Sequence, residues 1–438
     1  MTYKIDEYIG WINELNRTTK VDIKRILLSD CKNWFYDENT GTIHNQNNSF
    51  FSIAGFKGTL NGKEIQQPII IQNEIGYLGI ICKEIDGEMK YLMQAKIEPG
   101  NINCVQISPT IQATKSNFTQ KHGGNKPLYL EYFIHANEYE ILADQIQSEQ
   151  SSRFYGKRNR NMIIKVNQVT EIELNKRFQW MTLKEIKEMM KYKNLVNMDT
   201  RTVLSCLPYM NNSISKEIQD ITLYRSIYYQ NYEKEIVDVY HKINNYKMYE
   251  DTDVSIVRLD ELTNWDVKDD EIVCKEKYPY KVVFCDIEIE GREVKRWAQP
   301  LFQANGIATF GLIITEIEGI LKFLVKLQPE IGAFDKVEIG PTIQKEADAS
   351  FCIDRIERLF EEKLKNKKNI VFDSILSEEG GRFYHEENRN IILKIDQDEL
   401  KNLPDEYCLV SYAALNHMNL INNCLNIQLR NLLSTLEV

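Results

Sequence analysis

Apolar and polar positions along the first part of the chain alternate over short runs. Gln67–Ile71, Leu78–Glu84, Tyr91–Lys96 and Asn103–Ser108 are β-rich or alternating and are separated by Gly, Asn, Asp or Pro, which predicts strands. Asp86-Gly87 sits between two such runs as a hairpin turn signal, and Glu318-Gly319 marks the same point further on. The spacing then changes. Helices are predicted over Tyr139–Gln147 and Leu183–Tyr192, and again over Phe351–Lys365 and Tyr412–Leu420. Strand runs followed by helices indicate an α+β unit.

That unit occurs twice. Residues 67–112 align without a gap on residues 299–344, with 19 of 46 positions identical. The anchors include Gln67-Pro68 with Gln299-Pro300, Glu98 and Gly100 with Glu330 and Gly332, and Pro109–Gln112 with Pro341–Gln344. A second block, at a slightly shorter offset, pairs Arg153-Phe154-Tyr155 with Arg382-Phe383-Tyr384 and Asn159–Asn161 with Asn388–Asn390. A period this long means a duplicated domain and not a solenoid. The expected organisation is a first copy at 1–212, a linker at 213–249 and a second copy at 250–438. The linker reads as helical from its apolar spacing at Ile218, Ile221, Ile227, Ile236, Val239 and Ile243.

Composition narrows the classes. With 43% hydrophobic and 27% charged residues, the 438-residue chain has the balance of a globular protein with more than one core. A net charge of −10 argues against a broad nucleic-acid surface. Any polyanion must be held by a local basic pocket. No apolar run approaches the roughly 20 residues of a spanning helix, and the N-terminus lacks a signal-peptide core. Nine scattered cysteines with no CxxC suggest reduced thiols and a cytoplasmic protein.

Two clusters carry candidate chemistry. In the strand around Leu92–Glu98, alternation sets Gln94, Lys96 and Glu98 on one face. Thr110, Gln112, Thr114 and Ser116 alternate just downstream, followed by Asn117 and the Gly-rich run at His122. Any one of these residues would fit a salt bridge on a solvated sheet; together they read as a pocket. The second cluster, Arg153-Phe-Tyr-Gly-Lys-Arg-Asn-Arg160, is the most basic stretch of an acidic chain. It suits a diphosphate, or else a charged hairpin edge. The copies differ here: Lys157 and Arg158 align with Glu386 and Glu387, and Lys96 aligns with Gln328. An anionic substrate is therefore expected in copy one.

No phosphate loop, dinucleotide fingerprint, HExxH, paired-cysteine metal site or GxSxG elbow occurs, and the six histidines show no metal spacing. Nicotinamide redox, P-loop kinase and zinc hydrolase readings are therefore weak.

The runs QPIIIQNEIGYLGII, YLMQAKIEPGNINCVQISPTIQATKSNFTQKHGG, SEQSSRFYGKRNRNMIIKV and LVNMDTRTVLSCLP resemble the NDP-hexose 2,3-dehydratases of deoxysugar biosynthesis. REVKRWAQPL, GPTIQ and LSEEGGRFYHEENRN resemble that family's second half. The resemblance implies two tandem Nudix-like α+β copies, a homodimer, and action on dTDP-4-keto-6-deoxy-D-glucose without a redox cofactor. The Nudix magnesium box is not found in either copy, so no metal is expected. The implied reaction removes the C3 proton, made acidic by the C4 ketone, and expels the C2 hydroxyl. Base and acid are sought among Glu98, His122 and Tyr132, with Lys96 polarising the ketone. Gln94, Thr110, Gln112, Thr114, Ser116 and Asn117 are expected to hold sugar hydroxyls. Arg158, Lys157 and Arg153 are expected on the diphosphate, and Phe118 or Tyr155 on the base. The alternatives are a duplicated nucleotide-sugar binding module without catalysis, or an epimerase or isomerase using the same enolate.

Overall fold

The computed structural model describes residues 2–47, 50–119, 125–209, 218–250, 253–292, 294–347, 349 and 354–436, with the side chains of Thr2, Tyr3 and Asn117 left out. Its described residues form a mixed α+β protein with four mixed sheets, two to each repeated half.

In each half a core sheet is built on a long hairpin. Gly76–Ile85 and Glu88–Ile97 are joined at Asp86-Gly87, whose φ values of 55° and 79° are those of a two-residue hairpin turn. Ala308–Ile317 and Ile320–Pro329 repeat it through Glu318-Gly319, with φ of 53° and 75°. The first core sheet runs Glu140–Ser148, Arg158–Lys165, Gly76–Ile85, Glu88–Ile97, Phe178–Thr182, with Val105–Ser108 and Ile111–Ala113 added on the hairpin strands. Short helices close one face; Leu183–Met189 begins with a reciprocal cap between Thr182 and Glu185.

One predicted helix is a strand. Glu140–Ser148 pairs antiparallel with Arg158–Lys165. Its register slips between Ile141 and Ala143, and this bulge puts apolar side chains out of strict alternation, which produced the helical spacing. The same slip recurs at Ile370 and Phe372 in the second half. The other three predicted helices are present at Leu183–Met189, Arg355–Lys365 and Tyr412–Asn419, although Phe351 to Ile353 lie outside the described residues. In the linker, Ile221–Ile227 and Tyr232–Tyr249 are helical as expected; residues 213–217 lie outside the described residues.

Each half also carries an outer sheet, and here the halves exchange strands. Val21–Ile26 pairs with Tyr280–Ile289 of the second half, and Val254–Val257 pairs with Ser52–Leu60 of the first. The exchange is reciprocal. Between the halves the helices Met198–Leu204 and Ile427–Ser434 pack together, each burying an arginine. Arg201 donates to the Ser377 carbonyl at 2.5 Å, while Arg430 donates to the Ser148 carbonyl and Thr202. Buried guanidinium groups that end on backbone carbonyls of the opposite half fix the two repeats as one body. Among the described residues no helix is long and apolar enough to cross a membrane.

Candidate functional site

Between the first core sheet and the second outer sheet lies a cavity of about 610 Å³. Lys96, Glu98, Gln112, Thr114 and Lys157 line it from the first half, together with Tyr77, Glu149, Asn159 and Asp199. Arg292, Trp297, Gln299, Glu379 and Arg382 line it from the second half.

The sheet explains the first group. Lys96 and Glu98 lie at the end of the hairpin strand, where Lys96 stands opposite Gln106. Lys96 Nζ is 3.3 Å from Glu98 Oε1 and donates to the Gln112 carbonyl at 3.2 Å. The Gln112 amide donates to Glu98 Oε1 at 3.0 Å, while its own oxygen accepts from Ser108 Oγ at 3.0 Å and from Asn197 Nδ2 at 3.4 Å. Asn197 is also the N-cap of the helix that holds Asp199. One amide chain thus orients Glu98 and ties it to the helix bearing Asp199.

Three carboxyl groups meet in this cavity. Oxygens of Glu98, Asp199 and Glu379 lie within 4.8 Å of one another. Like charges this close and this buried do not all ionise. Burial works against the Glu98 carboxylate, but Lys96, Arg292 and hydrogen bonds from Glu379 and Gln112 outweigh it and hold its pKa below the usual range. Asp199 moves the opposite way: burial, then Glu379, Glu149 and Glu98, raise it well above the ordinary carboxyl value. Burial with Glu98 and Glu149 likewise pushes Glu379 up to about 8, against Arg382. The surroundings thus favour the ionised form of Glu98 and the protonated forms of Asp199 and Glu379. The triad also has the donor type for a hard cation. Lys96, Arg292 and Arg382 already supply positive charge there, which disfavours adding another.

Lys157 donates to the Glu74 carbonyl at 2.5 Å and to Asn159 Oδ1 at 2.9 Å. Burial pulls its pKa down to about 8 although Glu149 and Glu74 oppose the shift.

Several predicted residues stand elsewhere. Thr110 is a buried staple: its hydroxyl donates to the Leu92 carbonyl at 2.5 Å and accepts from the Ile81 amide at 2.9 Å, and Thr342 does the same for the second half. Ser116 holds Glu74 through its amide and hydroxyl at 3.1 and 3.0 Å. Gln94 lies on the sheet between Phe178 and Ser108, away from the cavity lining. Tyr132 packs at a tilt between Tyr129 and Tyr139, at 6.3 and 5.5 Å between ring centres, and Tyr155 packs on Phe56. Arg158 lies over the Phe334 ring at 4.0 Å. Phe118 meets the edge of the cavity residue Tyr77 at 5.5 Å. Arg153 lines a second cavity, of about 810 Å³, with Gln328, Glu330, Gln344 and Glu346. The Asn117 side chain and all of His122 lie outside the described residues.

Asp199, Glu149, Arg292, Glu379 and Arg382 were not among the predicted site residues. All five stand in motifs quoted above, but the sequence alone does not bring those motifs together.

The sequence model of one family, described as NDP-hexose 2,3-dehydratase, matches residues 5–207 and 237–436. The chain belongs to that family. The two matched segments fall on the two repeats, so the NDP-hexose 2,3-dehydratase pattern includes both walls of the cavity. Three relatives are similar over nearly the whole chain. Proteins from Saccharopolyspora spinosa, Streptomyces violaceoruber and Amycolatopsis orientalis are 32%, 34% and 33% identical, over 98%, 97% and 99% of this chain and 91%, 95% and 90% of their own lengths. Each of them is named a dTDP-4-dehydro-6-deoxy-α-D-glucopyranose 2,3-dehydratase.

Proposed function

We propose that this NDP-hexose 2,3-dehydratase acts on dTDP-4-keto-6-deoxy-D-glucose, the substrate in its relatives' names, and that the first cavity is where water is lost. The observation that carries the reading is the carboxyl cluster: three carboxyl groups with oxygens within 4.8 Å of one another and Lys96 3.3 Å from Glu98, in surroundings that lower Glu98 and raise Asp199 and Glu379.

Elimination needs a base, an acid and a cation at a developing oxyanion. Glu98 is the base and takes the C3 proton. Lys96 stabilises the charge that moves onto the C4 oxygen. The C2–O bond then breaks as Asp199 or Glu379 gives its proton to the departing hydroxyl, and a C2=C3 double bond forms. The resulting enol moves its O3 proton to C2 to yield the 3,4-diketo sugar. No electron leaves the substrate. Gln112 positions Glu98, Asn159 faces the sugar, and Thr114 and Lys157 face the diphosphate. The aromatic surfaces of Trp34, Phe50, Tyr77 and Trp297, all lining the same cavity, suit the thymine ring.

Each half is further proposed to be a Nudix-like unit, supported by its mixed sheet with flanking helices, and the chain to be a homodimer in the cytoplasm. The eight described cysteines are free thiols, which fits a reducing compartment.

Mass spectrometry of dTDP-4-keto-6-deoxyglucose incubated with the protein tests the activity. Loss of one water is expected. An unchanged mass with deuterium uptake beside the ketone would mean an epimerase, and no change of any kind a binding module.

A further inference from the structure

We infer that Arg382, carried by the second half into the first cavity, is the anchor of the substrate diphosphate. The inference rests on the reading just given and names a binding residue for it.

The repeat supplies an internal comparison. Arg382 and Arg153 are equivalent, each just before a two-residue strand that joins an outer sheet in parallel. Their carbonyls accept alike, from the amides of Phe302 at 2.8 Å and Ile70 at 2.9 Å. Their guanidinium groups lie alike over an aromatic ring, Phe51 at 4.3 Å and Tyr280 at 4.2 Å. The two arginines are held in the same place and differ in what they grip.

Arg153 grips an anion. Its two terminal nitrogens meet the two oxygens of Glu346 at 3.1 and 3.0 Å, with Glu386 at 4.0 Å. The first repeat has Thr114 where the second has Glu346, and Lys157 where it has Glu386. Both acids are thus absent from the first cavity, and one is replaced by a cation. Arg382 itself ends on neutral acceptors, Gln72 Oε1 at 3.3 Å and the Gly381 carbonyl at 2.9 Å. The carboxylates that act on it, Glu379, Glu74 and Glu98, do so through charge alone, without a hydrogen bond.

The Glu346 carboxylate therefore marks where an anionic ligand sits on this arginine. Two phosphate oxygens present the same planar, bidentate pattern to a guanidinium as a carboxylate does. In the first cavity that ligand is a diphosphate, held between Arg382 and Lys157, with Thr114 leaving the room that Glu346 fills in the second.

The test uses the full chain and thymidine diphosphate as probe, by calorimetry and steady-state kinetics. Arg382→Met should weaken the probe and raise KM by on the order of 30-fold or more, with kcat held within about threefold, as loss of a charge-assisted bidentate contact predicts. Thr114→Glu, which transplants the second cavity's carboxylate, should abolish probe binding. That variant decides the question if Arg382→Met fails to fold. Glu346→Thr is the control, with kcat and KM unchanged. Wild-type affinity in both Arg382→Met and Thr114→Glu, in a protein that still releases water, would overturn the anchor and leave the activity standing. A wild-type protein that neither binds the probe nor loses water from the substrate would overturn both.

Discussion

Gly100 donates its amide to the Gly380 carbonyl at 2.7 Å, and that bond joins the turn after Glu98 to the turn after Glu379. The approach is so close that a Cβ on Gly100 would stand 1.6 Å from the Phe383 carbonyl oxygen. Gly100→Ala should therefore move the two carboxyls apart. Turnover is expected to fall at least 100-fold in steady-state assays, since a shift of about 1 Å at a reacting centre costs that much.

Glu98→Gln keeps the shape and the contact with Gln112 but removes the base. The expected result is a kcat lower by on the order of 10²- to 10⁴-fold with thymidine diphosphate affinity changed little. Lys96→Gln, the residue the second repeat carries, should depress kcat to a similar degree. Equal losses of kcat and nucleotide affinity in both variants would remove the roles given to them.

The alkaline limb of the rate profile should report Glu379. Its pKa of about 8 leaves it protonated at neutral pH, and the proton is lost as pH rises through that value. Activity is expected to decline through about pH 8, and Glu379→Gln should shift or erase that limb. A profile that stays flat to pH 9 would remove Glu379 from proton transfer and from the control of Asp199.

The second cavity makes a separate prediction for stability. Burial, then Glu338 and Glu346, pushes Glu330 up to about 8 against an ordinary value of 4.5. A carboxyl raised in the folded state stabilises fully below the unfolded value, and that contribution is lost as pH rises through the folded one. Tm should thus fall between about pH 4.5 and 8. Glu330→Gln, which keeps an acceptor for Gln344, should lessen the fall while leaving turnover near wild type. Differential scanning calorimetry at pH 6 and pH 9, beside a turnover assay, checks both statements.

The carboxyl triad invites a chelator test. Because Lys96, Arg292 and Arg382 already supply positive charge beside Glu98, Asp199 and Glu379, turnover should survive prolonged dialysis against a chelator. Loss of activity restored by one divalent cation would make those carboxylates ligands.

Much of the first wall of the site was legible from the chain. Lys96, Glu98 and Gln112 share a few turns of one sheet, so local alternation and a short loop sufficed to group them. Thr110 was misplaced because a hydroxyl in an alternating polar run looks alike whether it meets a ligand or a backbone carbonyl. Arg153 was grouped with Lys96 and Glu98 yet lines the second cavity, for a different reason. Local sequence shows that a basic motif grips an anion, but not that each copy's motif, held on the outer sheet of its own half, lines the cavity against the other half's core sheet. Arg382 and Glu379 reach Glu98 over some 280 residues, and only tertiary pairing brings them there. The bulge at Ile141 hid a strand in the same manner, by breaking the period on which the reading relied.

The traded strands Val21–Ile26 and Val254–Val257 bear on how such a chain arose and on how it can be cut. Two single-repeat subunits that swapped their leading strands would already have formed this cavity between them, so joining their genes would have created no new contact. Once joined, one repeat could shed its chemistry, as Gln328 and Glu386 record, while still lending its neighbour a strand and an arginine. A fragment ending in the linker would leave Ser52–Leu60 with an open edge, ready to pair with any passing strand. Such pieces should precipitate when made alone and dissolve when made together.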